Sequence, residues 1–307
     1  MKSKLNKTID FDLDQAKEYL QDVIYEKDLD QADNDRIINN TIIGDFFKSI
    51  DFIEDKSIDL LIVDPPYNLR KNYHGNVFTE KSKDTYEDYT RKWIEKVIPK
   101  LKDTGSVYIC CDWKSSMIIG PILAEYLLIK NRITWQREKG RGSKSNWKNS
   151  MEDIWFAVKS KDYTFNIEDV KVRRKVIAPY KEDGIPKDWE ESKSGNFRNT
   201  HPSNIWDDIT IPFWSMAENT AHPTQKPEKL IAKLVLASSN LGDLVLDPFM
   251  GSGTTAVVCK KLGRNFIGIE QNPLYVAWGK KRLEAAESNK EIQGYKDGVF
   301  WDRNSGF

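Results

Sequence analysis

The run Ile58-Asp59-Leu60-Leu61-Ile62-Val63 has the composition of a strand buried on both faces, and it stops at Asp64-Pro65-Pro66-Tyr67. Neither proline has an N–H to donate, and each disfavours helix in the residue before it. The chain must therefore end a strand abruptly. It presents there a carboxylate, a stiff turn with free carbonyls and an aromatic ring. In open α/β sheets the carboxyl edge of the strands is where ligands sit. Taken alone, these four residues read equally well as a rigid turn with a surface tyrosine. A second strand and glycine loop, far downstream, tips the reading towards a site.

The neighbouring sequence sets the fold class. Thr41-Ile42-Ile43 reads as a short strand ending at Gly44-Asp45, Phe46 to Ile53 as a short helix, and Ser106 to Cys111 as another buried strand. This β-α-β rhythm predicts an α/β fold with a mostly parallel sheet. Ile133-Thr134-Trp135 and Asp153 to Val158 predict an antiparallel hairpin at the sheet edge. Asp12 or Asp14 is placed to cap a helix through Ala16 to Tyr25. Ile118 to Ile129 reads as an apolar helix interrupted near Pro121, and Asn68 to Thr90 as a long loop with a helix start. The organisation read from these shifts is an acidic N-terminal extension (1–36), a first half-domain (37–160), an irregular insert rich in proline and aromatics (161–220), a second half-domain (221–286) and a tail (287–307).

The downstream constellation begins with Leu244-Val245-Leu246-Asp247, a strand that runs into Pro248-Phe249-Met250-Gly251-Ser252-Gly253-Thr254-Thr255. Two glycines let the backbone approach a ligand closely, and a helix N-terminus favours negative charge. Glu270 ends the next strand, where an acidic group bonds the two ribose hydroxyls of an adenosine. The third glycine of a dinucleotide fingerprint is absent, and no G-x-x-x-x-G-K-[ST] occurs. The pair of features suits an adenosyl ligand without a pyrophosphate, such as S-adenosylmethionine.

Composition narrows the class further. Cys110, Cys111 and Cys259 form no C-x-x-C, a reduced intracellular pattern. His74, His201 and His222 are scattered, so no metal site is read, and no apolar run reaches the length of a membrane span. Net charge is zero, yet residues 10–35 hold ten acidic residues against Lys17 and Lys27, while residues 130–148 hold seven basic ones against Glu138. A neutral chain with charge so segregated can carry a strong basic face, so zero net charge does not exclude a nucleic-acid binder. Arg137, Lys139, Arg141, Lys144 and Lys148 are the candidate DNA contacts, and the aromatic insert the candidate base reader.

Asp64-Pro65-Pro66-Tyr67, together with Asp247-Pro248-Phe249-Met250-Gly251-Ser252-Gly253, resembles the DNA amino-methyltransferases of restriction–modification systems. The catalytic motif precedes the cofactor motif, the permuted order of the beta class. His222-Pro223-Thr224-Gln225-Lys226-Pro227 and Gly44-Asp45 match that class as well, so the resemblance covers residues 37 to 285. The stretch Trp135 to Gly142 looks like the subgroup that modifies GAATTC. The resemblance implies a doubly wound, Rossmann-like methyltransferase fold with an inserted target-recognition region. It implies S-adenosylmethionine as cofactor and double-stranded DNA as substrate. It further implies a cytoplasmic enzyme, monomeric or homodimeric, with a cognate restriction endonuclease as cellular partner.

Site roles follow by the same resemblance. Asp64, Pro65, Pro66 and Tyr67 are catalytic. Asp247, Phe249, Gly251 and Gly253 surround the cofactor, with Pro248, Ser252, His222 and Asp64 alongside, Glu270 on its ribose and Asp45 on its adenine amino group. Thr224, Lys226 and Thr254 hold the methionine carboxylate. Taken singly, Lys226 is also a plain helix-start lysine and Thr254 a plain helix cap. The reaction implied is transfer to the 6-amino group of adenine. Alternatives are the 4-amino group of cytosine, an RNA substrate, or a nucleic-acid-binding module without catalysis. Methylation of cytosine carbon 5 would need a Pro-Cys nucleophile, and the sequence has none.

Overall fold

The strand that ends in the two prolines lies in the middle of a nine-stranded sheet. The structure is a computed structural model describing residues 3–31, 34–137, 144–176, 181–183, 185–186, 188–192 and 195–303. In chain order the strands are β1 (Ile24–Tyr25), β2 (Asn40–Ile43), β3 (Ile58–Val63), β4 (Leu101–Cys111), β5 (Leu128–Gln136), β6 (Met151–Val158), β7 (Ile205–Trp206), β8 (Leu244–Asp247) and β9 (Asn265–Glu270). In space they run β1-β2-β9-β8-β3-β4-β6-β5-β7. Only β6 is antiparallel to its neighbours. The last two strands of the sheet thus slot between β2 and β3, which brings the carboxyl ends of β2, β9, β8 and β3 side by side.

Alternation along these strands supplies two cores. Leu60, Ile62, Tyr108, Cys110, Val245 and Phe266 face one side. Helices α3 (Glu228–Ser238), α4 (Thr254–Leu262) and α5 (Pro273–Ser288) cover that side. Leu61, Val63, Val107, Ile109, Leu246 and Ile267 face the other, under α1 (Lys83–Val97) and α2 (Trp113–Tyr126). Every position of β3 from Leu60 to Val63 is buried, as a strand covered on both faces requires. This is the doubly wound sheet that the sequence implies.

Several elements differ from the sequence reading. Asp12 caps only one α-turn, Leu13–Ala16, which tightens to 3₁₀ over Lys17–Leu20. Ile24 and Tyr25 then pair with Ile42 and Ile43 as an edge strand, because the open side of β2 offers partners that a helix would leave unused. Helix α2 passes through Pro121 without a break. The hydrogen bond missing there belongs to the carbonyl of Met117, a residue 65 % exposed, where water can replace it. The 68–90 stretch holds a hairpin, Lys71–Tyr73 with Asn76–Phe78, before α1 begins. The hairpin of β5 and β6 is antiparallel as read, but β7 lies outside it and forms the edge.

The insert forms a second sheet with the tail. Its strands run Glu190–Ser192, Gly195–Thr200, Val172–Lys175, Val299–Trp301 and Tyr295–Lys296. The strand Val299–Trp301 lies parallel to Val172–Lys175, with Phe300 fully buried. Asp208 ties the insert to α3: its carboxylate lies 2.7 Å from Lys229 Nζ and 2.9 Å from Lys233 Nζ. Both Asp208 and Lys233 are buried, so removing one partner strands a charge. We expect Asp208→Ala to destabilise the protein by roughly 3–5 kcal/mol, read as a drop in the midpoint of chemical unfolding. An unchanged midpoint would make the pair dispensable.

Candidate active site

The four adjacent strand ends open into one cavity of about 310 Å³. Asp45, Asp64, Pro65, Pro66, Tyr67, His222, Thr224, Lys226, Asp247, Pro248, Phe249, Gly251, Ser252, Thr254 and Glu270 all line it, so residues more than 200 positions apart share a wall. Gly253 stands just behind, at the N-cap of α4.

The glycine loop is built by two carboxylates. Asp247 Oδ1 accepts the Phe249 N–H at 3.2 Å and Oδ2 the Thr255 hydroxyl at 2.5 Å, which folds the turn back on its own strand. Glu270 Oε2 accepts the Gly251 N–H at 2.9 Å and Oε1 the Asn272 N–H at 2.8 Å. Burial pushes each of these carboxyls up to about 7, against the pull of those same donors. Gly251 and Gly253 sit at φ +55° and +77°. A Cβ on Gly253 would lie 3.1 Å from the Gly279 Cα, and one on Gly251 3.0 Å from His222 Nε2, so both positions need glycine for space as well as for dihedral angle.

At the other wall, Asp64 is held by two donors. Lys226 Nζ lies 2.6 Å from Oδ2, and the Tyr67 hydroxyl donates to Oδ1 at 2.9 Å. Burial raises the Asp64 pKa, Lys226 opposes the rise, and Glu152 adds to it. Burial alone would lower the Lys226 pKa, but Asp64 and Glu152 beside it prevail and hold the ammonium charged. The His222 imidazole is kept neutral, its pKa pushed down to about 3 by burial and by Lys226. The resemblance assigns Lys226 to a methionine carboxylate; its ammonium lies instead on Asp64. Thr254 carries a further bond: its hydroxyl donates to the Lys226 carbonyl at 3.0 Å and accepts from Arg282 Nη1 at 3.0 Å. Asp45 caps the turn Phe46–Ser49 through the Phe47 N–H, and its own N–H donates to Glu26 Oε2 at 2.7 Å, so the acidic extension reaches the rim of the cavity.

The basic loop divides. Lys144 and Lys148 are exposed, while Lys139 and Arg141 lie outside the described residues. The Arg137 guanidinium is paired with Glu152. Glu152 itself escaped the sequence reading. It is the second residue of β6, and because β6 runs against the sheet its first residues, not its last, lie at the carboxyl edge. Two adjacent carboxylates, Glu152 and Asp153, near the start of an apolar strand are the signal that was available. Phe46 escaped too; it stacks on Phe249 at 5.0 Å and lines the cavity from the β2 side. Among the described residues no cluster suits a metal ion, and no helix is long and apolar enough to cross a membrane.

A family model described as DNA methylase matches residues 58–281. The Type II methyltransferase M.HpaI of Haemophilus parainfluenzae is 36% identical over 247 residues, which cover 80% of this chain and 74% of that protein. The DNA adenine methyltransferase YhdJ of Escherichia coli (strain K12) is 37% identical over 258 residues, covering 80% and 83%. Among solved structures, the crystal structure of an M1.HpyAVI–SAM complex is 26% identical with a TM-score of 0.53, covering 79% of this chain and 98% of that one. The family match starts at the first residue of β3 and ends inside α5, so it spans three of the four strand ends that build the cavity, those of β3, β8 and β9, and leaves β2 and the Asp45 turn before it. On that span this chain is a member of the DNA methylase family.

Proposed function

We propose that this chain methylates the 6-amino group of adenine in double-stranded DNA, with S-adenosylmethionine as methyl donor and the target base flipped out of the helix. The observation that carries the reading is the single cavity shared by Asp64 and Glu270. An acceptor for an amino group and an acceptor for a ribose diol face one space. Its volume of about 310 Å³ lies at the lower end of small-molecule sites, roughly 300–1,000 Å³. The donor set also fits: a carboxylate already oriented by two backbone N–H groups, a loop with no side chain at Gly251 and Gly253, and aromatic rings at Phe46 and Phe249.

When bound, the cofactor supplies an electrophilic methyl whose transfer leaves positive charge on the adenine nitrogen. The rest falls to this chain. An adenine amino group is a weak nucleophile because its lone pair is delocalised into the ring. Acceptors for both its hydrogens, the Asp64 carboxylate and the Pro65 carbonyl, favour a more tetrahedral nitrogen with its lone pair free. Asp64 need not be a strong base, since the proton becomes acidic only after methylation. The reactive atom is inside a duplex, so the base must leave the stack and be held. The Tyr67 ring projects from the same rigid turn and offers that platform.

Aspartate at the head of the turn favours adenine over the 4-amino group of cytosine, as does the name of YhdJ. The intact pair Asp64 and Glu270 supports catalysis over binding alone. The Type II name of M.HpaI supports a place beside a cognate endonuclease. We assign duplex contact to the loop from Arg137 to Lys148, and base readout to residues 161–220.

Expression in cells that lack DNA methylation, followed by sequencing of a plasmid for modified bases, is expected to show N6-methyladenine in one fixed sequence context. Modified cytosine alone would overturn the assignment. The cofactor site makes a pH prediction. Burial holds the Glu270 carboxyl at about 7, and the ribose hydroxyls need it ionised. Affinity for S-adenosylmethionine should therefore fall as pH drops below about 7, by up to about tenfold per unit for one proton, and level off above it. Calorimetry at pH 6 and pH 8 reads this, and Glu270→Gln should bind weakly at both. Equal wild-type affinity at the two values would remove Glu270 from the site. For the loop, replacing Lys144 and Lys148 by alanine should weaken all DNA sequences alike and lower the salt slope by about one for each phosphate no longer neutralised. Unchanged binding to random duplex would place DNA elsewhere.

A further inference from the structure

Glu152 is buried, with its side chain 5% exposed, and the reaction described above leaves it unused. Its two oxygens face different partners. Oε1 accepts from the Arg137 guanidinium, which fixes the carboxylate's orientation. Oε2 lies 3.1 Å from the Tyr67 hydroxyl and 3.3 Å from Lys226 Nζ. Those are the same two donors that hold Asp64, at 2.9 and 2.6 Å. A phenol has one proton and serves one carboxylate at a time. Two carboxylates therefore compete for one hydroxyl and share one ammonium, and Asp64 has the shorter contacts.

Held in this way, Asp64 is poorly prepared for its substrate. The ammonium neutralises the carboxylate and so weakens it as an acceptor for a neutral amine. It also stands beside the place where positive charge builds on the adenine nitrogen, in a site where low polarity sharpens like-charge repulsion. Moving the ammonium towards Glu152 lessens both obstacles, and no charge leaves the site. The move is short: the two contacts of Lys226 differ by 0.7 Å, 3.3 against 2.6. A second cavity, about 110 Å³, is lined by Arg137, Glu152, Gln225 and Lys226 together, so open space exists where the side chain would shift.

Resting on adenine methylation as the activity, we propose that Glu152 is a positioning residue that takes over the Lys226 ammonium and the Tyr67 hydroxyl as the flipped base reaches Asp64. Asp64 is thereby released to accept the amino hydrogen and then the proton. Because Arg137 opens the basic loop and also grips Glu152, the hand-over is joined to the segment assigned to DNA.

The test compares two variants under single turnover, with a duplex carrying the methylated sequence and both substrates saturating. Glu152→Gln keeps the shape and removes the charge; Glu152→Asp keeps the charge and removes a methylene. Glu152→Gln is expected to slow methyl transfer by on the order of 100-fold, what one preorganised polar contact at a reacting centre is commonly worth. Affinity for S-adenosylmethionine should stay within about threefold, the mark of an interaction used in the chemical step and not in binding. Glu152→Asp should be the faster variant. A wild-type rate in Glu152→Gln would overturn the proposal. So would Glu152→Asp slower than Glu152→Gln, since shape and not charge would then matter. A Glu152→Gln protein that melts early and loses cofactor affinity in step with its rate would make Glu152 a structural ion, and would overturn it equally. Wild-type turnover on the same duplex reports the activity itself, so failure of the hand-over and failure of adenine methylation are told apart.

Discussion

The ammonium of Lys226 joins the two halves of the chain at their working ends. It is carried by the segment before α3, and it meets a carboxylate fixed 162 residues earlier by two prolines, at 2.6 Å. The contact is possible only because β8 and β9 lie between β2 and β3, which brings the turn after β3 over the loop after β8. A sheet in which β3 paired directly with β2 would separate Asp64 from the glycine loop by two strand spacings, roughly 10 Å. Strand order thus decides whether Asp64 and the glycine loop share a cavity.

Much of this geometry was legible in the sequence because its causes are local. Proline at 65 and 66 ends a strand whatever surrounds it, and glycine at 251 and 253 announces positive φ and close approach. The β-α-β rhythm then fixes which edge of the sheet those turns occupy. The features that stayed hidden have causes in distant partners. Ile24 and Tyr25 follow an acidic stretch with helical signals and become a strand only because β2 has an open side. Pro121 breaks a helix in the sequence reading, yet the exposed carbonyl opposite tolerates its missing N–H. Counting charge along 130–148 shows a basic loop, but not that Arg137 turns inward to a buried carboxylate.

Glu152 shows the same limit from the other side. A residue at the start of a strand is normally far from the carboxyl edge of a parallel sheet. One antiparallel strand reverses that rule, and the reversal depends on where β6 pairs, between β4 and β5. The pairing of Thr134 with Asp153 and of Trp135 with Glu152 puts two acidic residues level with the far end of β5. Only Glu152 of the two lines the second cavity, because side chains alternate along a strand.

Two of the buried ion groups among the described residues answer different needs. Asp208 with Lys229 and Lys233 links an insert to a helix, and well-packed apolar side chains of similar volume would hold that junction as well or better, by about 1–4 kcal/mol where such exchanges stabilise. The group at Asp64 cannot be exchanged in that way. Two carboxylates, an ammonium, a guanidinium and a phenol are held within hydrogen-bonding distance of one another, with Glu152 and Lys226 almost wholly withdrawn from water. Desolvating them works against stability, and the fold accepts this at the edge proposed for base and methyl donor. An apolar replacement would relieve the strain of buried charge and remove the acceptor with it. Retention of charge here, against the ordinary preference of a protein interior, fits the proposed transfer, which develops positive charge on nitrogen.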